Sequence, residues 1–204
     1  VESFMNAGIV TALFSGNTLL GQDNGFSKGF SMQVVEETEP ENAVFLVNEA
    51  LQFLDGLPEN QKAYLHIQAF DPHQPWYPAE QDLGTWSDPT LLPFSLSTDH
   101  LAEQEALDDA LNRMEQSEKD QMKEQIRNVY DEELLGLDRA LQTLIQGLSN
   151  RGILEKTLVV FTADHGETLF DTDDHYGHGS TVREELVRLP LIFYNPSFTN
   201  QQIE

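Results

Sequence analysis

Cysteine is absent from all 204 residues, which excludes disulfides, a thiolate nucleophile and thiolate metal ligation, while leaving the compartment open. Positive charge is scarce: 11 Lys and Arg stand against 35 Asp and Glu, for a formal net charge of -24. A surface of that sign repels nucleic-acid phosphates and anionic lipid, so neither is an expected partner unless a cation intervenes. Solubility or a saline habitat is the plainest origin of the charge. No apolar run approaches the length of a membrane span, and the opening Val1-Glu2-Ser3-Phe4-Met5-Asn6 does not read as a signal peptide. What is present, 39% hydrophobic residues with 12 Phe and 2 Trp, suffices for the core of one soluble domain, and no repeat or linker divides residues 1–204.

The strongest chemical signal runs from Leu158 to Glu167, Leu-Val-Val-Phe-Thr-Ala-Asp-His-Gly-Glu. Four consecutive apolar residues, Leu158 to Phe161, predict a strand covered on both faces, as in a parallel sheet of an α/β protein. Asp164 and His165 follow at its carboxyl end, where open α/β sheets bind ligands. Neighbouring strand residues point to opposite faces, but a turn at Gly166 with positive φ would let both side chains converge on one ion. The pair reads as half of a metal site.

The remaining order of elements is α/β. Ala7-Gly8 ends a short helix and Val10 to Phe14 is a strand, after which Gly16, Gly21, Gly25 and Gly29 punctuate a long loop. Thr38-Glu39-Pro40-Glu41 has the form of a capping box opening a helix with Val44, Val47, Leu51 and Leu54 on its apolar face, ended by Asp55-Gly56. Ala63 to Phe70 is the next strand, stopped at Asp71-Pro72. Pro72 to Pro93 reads as a structured loop. An acidic helix from Asp99 to about Glu118 is expected on the surface, followed by a helix from Asp120 to Leu148 with an apolar stripe that includes Ile126, Val129, Leu137 and Leu141. Leu189 to Tyr194 forms a last strand.

Two further histidine groups stand out. His73 lies between prolines in Asp71-Pro72-His73-Gln74-Pro75, at the end of its strand as Asp164-His165 is at the end of another, and parallel pairing would place both on one sheet edge. A neutral imidazole there would exchange a proton with a leaving group near neutral pH, although a capping histidine in a turn fits the spacing equally. His175 and His178 lie in Asp173-Asp174-His175-Tyr176-Gly177-His178-Gly179, where glycines permit backbone to approach an oxyanion; an acidic loop with incidental histidines is the alternative. His66, inside a strand, and His100, in the acidic stretch, are expected to be structural or solvated. Asp131, Glu132 and Glu133 read as a helix surface.

Five blocks in order resemble the sulfatase branch of the alkaline phosphatase superfamily: Gly25-Phe26-Ser27-Lys28-Gly29-Phe30; Ala69-Phe70-Asp71-Pro72-His73-Gln74-Pro75-Trp76; Tyr130-Asp131-Glu132-Glu133-Leu134 with Leu137-Asp138; Thr157 to Glu167; and Gly177-His178-Gly179 with Arg183 to Ile192. The resemblance implies a mixed, largely parallel sheet sandwiched by helices, and a metal-dependent sulfuric ester hydrolase acting on a small sulfate ester or a sulfated sugar. It further implies that Asp164 and His165 bind a divalent cation, Ca2+ first with Mn2+, Mg2+ or Zn2+ as alternatives, completed by carboxylates of an earlier strand. His73 would contact the ester oxygen of the leaving group, His178 a non-bridging sulfuryl oxygen, and Asn17 the substrate. Sulfuryl transfer gathers negative charge on peripheral oxygens, which a metal and flanking cations stabilise.

The departures are equally specific. Gly16-Asn17-Thr18-Leu19-Leu20-Gly21 lacks the lysine and histidine that many sulfatases carry there. The formylglycine nucleophile, made from Cys or Ser in a C/S-x-P-x-R motif, is expected upstream and is not among these residues. The chain thus reads as the central and carboxyl-terminal part of one catalytic domain, expected to be inactive alone. A phosphodiesterase or phosphonate monoester hydrolase of the same superfamily, and a non-catalytic sulfatase-like binding domain, are the two other readings. Trp76, Tyr77 and Trp86 are candidate stacking residues for a sugar or aryl ring.

Overall fold

The structure, a computed structural model, describes residues 1–21, 25–36, 42–96, 100–171 and 174–199. The chain divides into two compact units, Val1–Leu144 and Ile145–Glu204.

The first unit opens with a short helix α1 (Glu2–Asn6), ended as expected at Gly8 with φ 75°. Its sheet has the order β2-β1-β3, where β1 is Val10–Ser15, β2 is Met32–Val35 and β3 is Ala63–Gln68. Both pairings are parallel, with Ala12 opposite Met32 and Leu65. The central strand β1 is buried on both faces, as a parallel strand between two neighbours should be: Thr11, Ala12 and Phe14 are at 0% exposure. Strand β2 falls where the glycine-punctuated loop was expected, because only four residues, Met-Gln-Val-Val, carry it.

Helix α2 (Asn42–Asp55) crosses the sheet. Leu46 and Ala50 pack on Ala12 and Phe14, while Ala43, Val47 and Leu51 meet Ala140, so the same helix serves the sheet with one stripe and a second helix with another. The capping box Thr38 to Glu41 lies outside the described residues. The first turn of α2 is capped instead from a distance, by Asp71 Oδ2 accepting the Ala43 N–H at 2.6 Å. Asn42 is fully buried at the carboxyl ends of the strands: its Nδ2 donates to Glu36 O at 3.2 Å and its Oδ1 accepts the Phe70 N–H at 3.1 Å. Gly16 is required beside it, since a Cβ there would meet Asn42 Oδ1 at 2.0 Å.

The two later helices run His100–Arg113 (α3) and Gln116–Asn150 (α4), breaking earlier than expected. Asp99, the expected start of α3, is outside the described residues. Helix α3 is not a purely solvated surface element: Glu103, Leu107 and Ala110 are buried along one stripe. Nor are Glu132 and Glu133 on a helix surface. Glu132 has 0% exposure and accepts from Gly84 N (3.2 Å), Trp86 N (2.8 Å), Ser87 N (2.7 Å) and Ser87 Oγ (2.9 Å), while Glu133 accepts from Tyr77 N. With the Arg139–Asp82 ion pair at 2.5 Å, these carboxylates pin the loop after β3 onto α4. That loop is therefore structured, as its composition suggested.

In the second unit, β4 (Val159–Thr162) pairs antiparallel with β7 (Leu191–Tyr194), and β5 (Thr168–Leu169) with β6 (Tyr176–Gly177). The short helix α5 (Glu184–Val187) precedes β7. Among the described residues the partner of β4 is the antiparallel β7, where a parallel one was expected; the residues of β4 alternate between half-buried and exposed, with Val160 49% exposed. The apolar run reported a strand and could not report the direction of its neighbour. No helix among the described residues is long and apolar enough to cross a membrane.

Candidate active site

The chain leaves β4 at Thr162 and reaches Asp164, whose Oδ1 accepts the His165 N–H at 3.0 Å. His165 Nδ1 lies 2.8 Å from Gly166 O. A ring nitrogen facing a carbonyl must be the donor, so Nδ1 carries the proton and Nε2 presents its lone pair, the tautomer a metal ligand needs. Nε2 lies 3.9 Å from Asp164 Oδ1, a separation one divalent ion bridges at ordinary bond lengths of about 2.0–2.5 Å. The two residues therefore fit as one side of a cation site. Among the described residues no group of three His, Asp or Glu forms that could hold a metal, so a cation held by this pair would need further ligands.

Gly166 is needed here for close approach, and a positive φ, the expected reason, does not occur. Its N–H donates to Leu186 O at 3.0 Å, and a Cβ would meet Glu185 O at 1.9 Å. The turn after Asp164-His165 is thereby seated on α5. Positive φ appears instead at Gly177 (80°) and Gly179 (85°), on either side of His178.

The β5–β6 register, Thr168 opposite Gly177, places Glu167 across from His178. His178 Nδ1 is 3.2 Å from both Glu167 oxygens, and the His178 ring lies 4.0 Å from the ring of His165. The Glu167 side chain is only 7% exposed. Burial pushes its carboxyl above the ordinary range, against the opposing pull of His178, His165 and the Thr168 backbone N–H. Sequence reasoning gave Glu167 no role, since the β5–β6 register that brings it to His178 is set by tertiary pairing. His175 faces Ser180, with Nε2 2.9 Å from Oγ.

The structure thus brings Asp164, His165 and His178 together with Glu167 in the second unit. His73 and Asn17 belong to the first. Strands β3 and β4 fall in different sheets among the described residues, where one shared sheet was expected. His73 follows the end of β3 in a segment with cis bonds before Pro72 and Pro75. Its Nδ1 faces Gln74 O, which again leaves Nε2 as the outward nitrogen, and its ring rests 4.4 Å from Phe70. Asn17 Oδ1 accepts the Leu19 N–H at 2.9 Å and so caps a 3-10 turn, Thr18–Leu20. Of the candidate stacking residues, Trp76 is at 0% exposure and packs the loop, whereas Trp86, 53% exposed, lines an open groove of 620 Å³ with Asn128, Asp131, Leu134 and Leu135.

The chain thus combines a mixed α/β architecture with a carboxylate–imidazole pair at a strand end and a second imidazole beside it. Solved structures of similar fold match over nearly the whole chain. One is a protein in complex with its substrate D-glucosamine-2-N,6-O-disulfate, at TM-score 0.67 and 19% identity over 96% of this chain and 55% of its own. A second comes from glycosaminoglycan metabolism in Bacteroides thetaiotaomicron, at 0.66 and 17% over 96% of this chain and 47% of its own. A third is the phosphonate monoester hydrolase of Agrobacterium radiobacter, at 0.62 and 18% over 94% and 51%. The chain spans about half the length of these relatives. None of the curated proteins matches it. The family model for sulfatases matches residues 6–204, and the chain belongs to the sulfatase family.

Proposed function

We infer that residues 1–204 are the central and carboxyl-terminal part of one catalytic domain in a metal-dependent sulfuric ester hydrolase, whose substrate is a sulfated sugar or a small sulfate ester. The arrangement of Asp164, His165 and His178 around Glu167, in a chain of this family, carries the reading. Asp164 and His165 Nε2 would hold the divalent cation, Ca2+ in the first instance, which when bound supplies polarisation of a sulfuryl oxygen and offsets the charge of the anion. Glu167 orients His178 through Nδ1 and leaves Nε2 directed away from the carboxylate, for a non-bridging oxygen. His73, with Nδ1 occupied by Gln74 O, offers Nε2 to the leaving-group oxygen. Asn17 adds a substrate contact through its amide NH2, its oxygen being used as a cap. The nucleophile is expected from a segment outside residues 1–204.

The phosphonate monoester hydrolase among the similar structures supports a second reading, in which the same ligands serve a phosphorus ester. Turnover of 4-nitrophenyl sulfate and of phenyl 4-nitrophenylphosphonate by residues 1–204 together with the segment that supplies the nucleophile, stripped of metal and then reloaded with Ca2+ or Mn2+, decides between them. Sulfate turnover that returns with metal, and is lost in Asp164→Ala and His165→Ala together with metal binding by calorimetry, is the expected result. Metal-independent turnover would sink the metal role of Asp164 and His165, and turnover of neither ester would sink the enzyme reading.

A further inference from the structure

His178 follows β6 with a glycine on either side, at φ 80° and 85°. Nothing lies within 4 Å of a Cβ built at Gly177 or Gly179, so both are needed for their left-handed backbone and not for close contact. A side chain between two such permissive residues is not held in place by its own backbone. Contacts from outside the turn must fix it.

One contact is on the ring itself, where Glu167 meets Nδ1. Another joins the two ends of the turn. His175 Nε2 lies 2.9 Å from Ser180 Oγ, so a side chain before Gly177-His178-Gly179 is bonded to one after it. His175 is anchored in turn, since its carbonyl accepts the Phe170 N–H at 3.0 Å. Phe170 is a bulky residue at φ 61°, a strained conformation that persists where the surroundings impose it, here by burial at 4% exposure with its ring 5.5 Å from that of Tyr176. Ser180 is exposed and His175 half-buried, so water can replace either partner and the bond between them does little for stability. Its consequence is geometric: the chain is closed on both sides of His178.

We propose that His175 and Ser180 are positioning residues for His178: their bond closes the turn across Gly177-His178-Gly179 and keeps the imidazole on Glu167, with Nε2 presented to a peripheral oxygen of the anion. A ring that donates to Glu167 through Nδ1 and to that oxygen through Nε2 carries both protons, and is the flanking cation that such an oxygen requires. The presentation of Nε2 rests on the oxygen-binding role of His178 given above, whereas the placement of the ring is read without it.

The test uses residues 1–204 together with the segment that supplies the nucleophile, and whichever 4-nitrophenyl ester it hydrolyses. Ser180→Ala and His175→Phe, which keeps a ring without nitrogens, are each expected to lower kcat/KM about 10-fold while leaving Ca2+ affinity by calorimetry within about 2-fold and the urea midpoint in place. Ser180→Thr, which keeps the hydroxyl, should restore most of the rate. In a His178→Ala background neither variant should have a further effect. Independently of turnover, nuclear Overhauser cross-peaks between the His178 and His165 rings, 4.0 Å apart, should weaken in both variants. Cross-peaks unchanged in both variants, rates unchanged where His178→Ala lowers them, further losses in the His178→Ala background, or a parallel loss of Ca2+ affinity and stability would each overturn the proposal. If His178→Ala itself leaves the rate unchanged, or no ester is turned over, the oxygen-binding role of His178 falls and the cross-peaks alone decide whether His175 and Ser180 place the ring.

Discussion

Replacing Glu132 by alanine removes one acceptor from four hydrogen bonds and is expected to be among the costliest single changes in the first unit. The donors are the backbone N–H groups of Gly84, Trp86 and Ser87 and the Ser87 hydroxyl. Bonds to a charged acceptor contribute about 1.5–3 kcal/mol each, but the losses do not add, because Trp86 is 53% exposed and water can reach its surroundings. Ser87 is only 9% exposed, so its N–H and Oγ are the donors left stranded, at about 1–3 kcal/mol apiece. With the space left by a fully buried side chain, Glu132→Ala should cost about 4 kcal/mol. Glu132→Gln keeps one oxygen for Trp86 and Ser87 and lets the hydroxyl turn round, but sets an NH2 against Gly84 N–H; about 2 kcal/mol is expected. The neighbouring exposed Asp131→Ala should stay within about 0.5 kcal/mol. Urea unfolding of the full chain, comparing midpoints at constant slope, measures all three. A cost below about 1 kcal/mol for Glu132→Ala, or one equal to that of Asp131→Ala, would refute the view that this carboxylate pins the loop.

Three other changes follow from local geometry. Gly166→Ala forces a Cβ to within 1.9 Å of Glu185 O, so α5 must shift; destabilisation of about 3 kcal/mol and loss of metal binding by calorimetry are expected, and a variant that binds metal normally would contradict the close seating. Asp71→Ala removes the cap on Ala43 N–H and should cost about 1–2 kcal/mol in the same unfolding assay, with Asp71→Asn intermediate. Glu103 gives a pH dependence: with its folded value raised from 4.5 to about 7, the native state holds a proton the unfolded state has lost, so stability falls as pH rises from about 4.5 to 7 and is flat outside that window. The fall is on the order of 3 kcal/mol, absent in Glu103→Gln, and equal slopes for the two proteins would remove the buried acid from the account.

Much of the site was legible because it is local. Asp164, His165 and Gly166 are consecutive, and an apolar run followed by polar residues and glycine reports a strand end whatever lies beside it. The helix at Asn42–Asp55 and the strand at Ala63–Gln68 were legible for the same reason, since periodicity and stop signals are properties of short windows. Glu132 and Glu103 were not, because a carboxylate on a helix has the same appearance in sequence whether water or a loop 45 residues away satisfies it.

The sequence by itself determined the family, the α/β order of elements and the positions of Asp164, His165, His178 and His73. Tertiary structure decided what each of them faces. The antiparallel partner of β4, the β5–β6 register that brings Glu167 to His178, and the contact that requires glycine at 166 all depend on residues distant along the chain. Propensity and periodicity act over one turn or one strand, whereas the pairing of strands and the desolvation of a carboxylate are settled only when remote segments bury one another. The structural reason for Gly166, read first as a positive-φ turn, is therefore the carbonyl of Glu185 pressed against it.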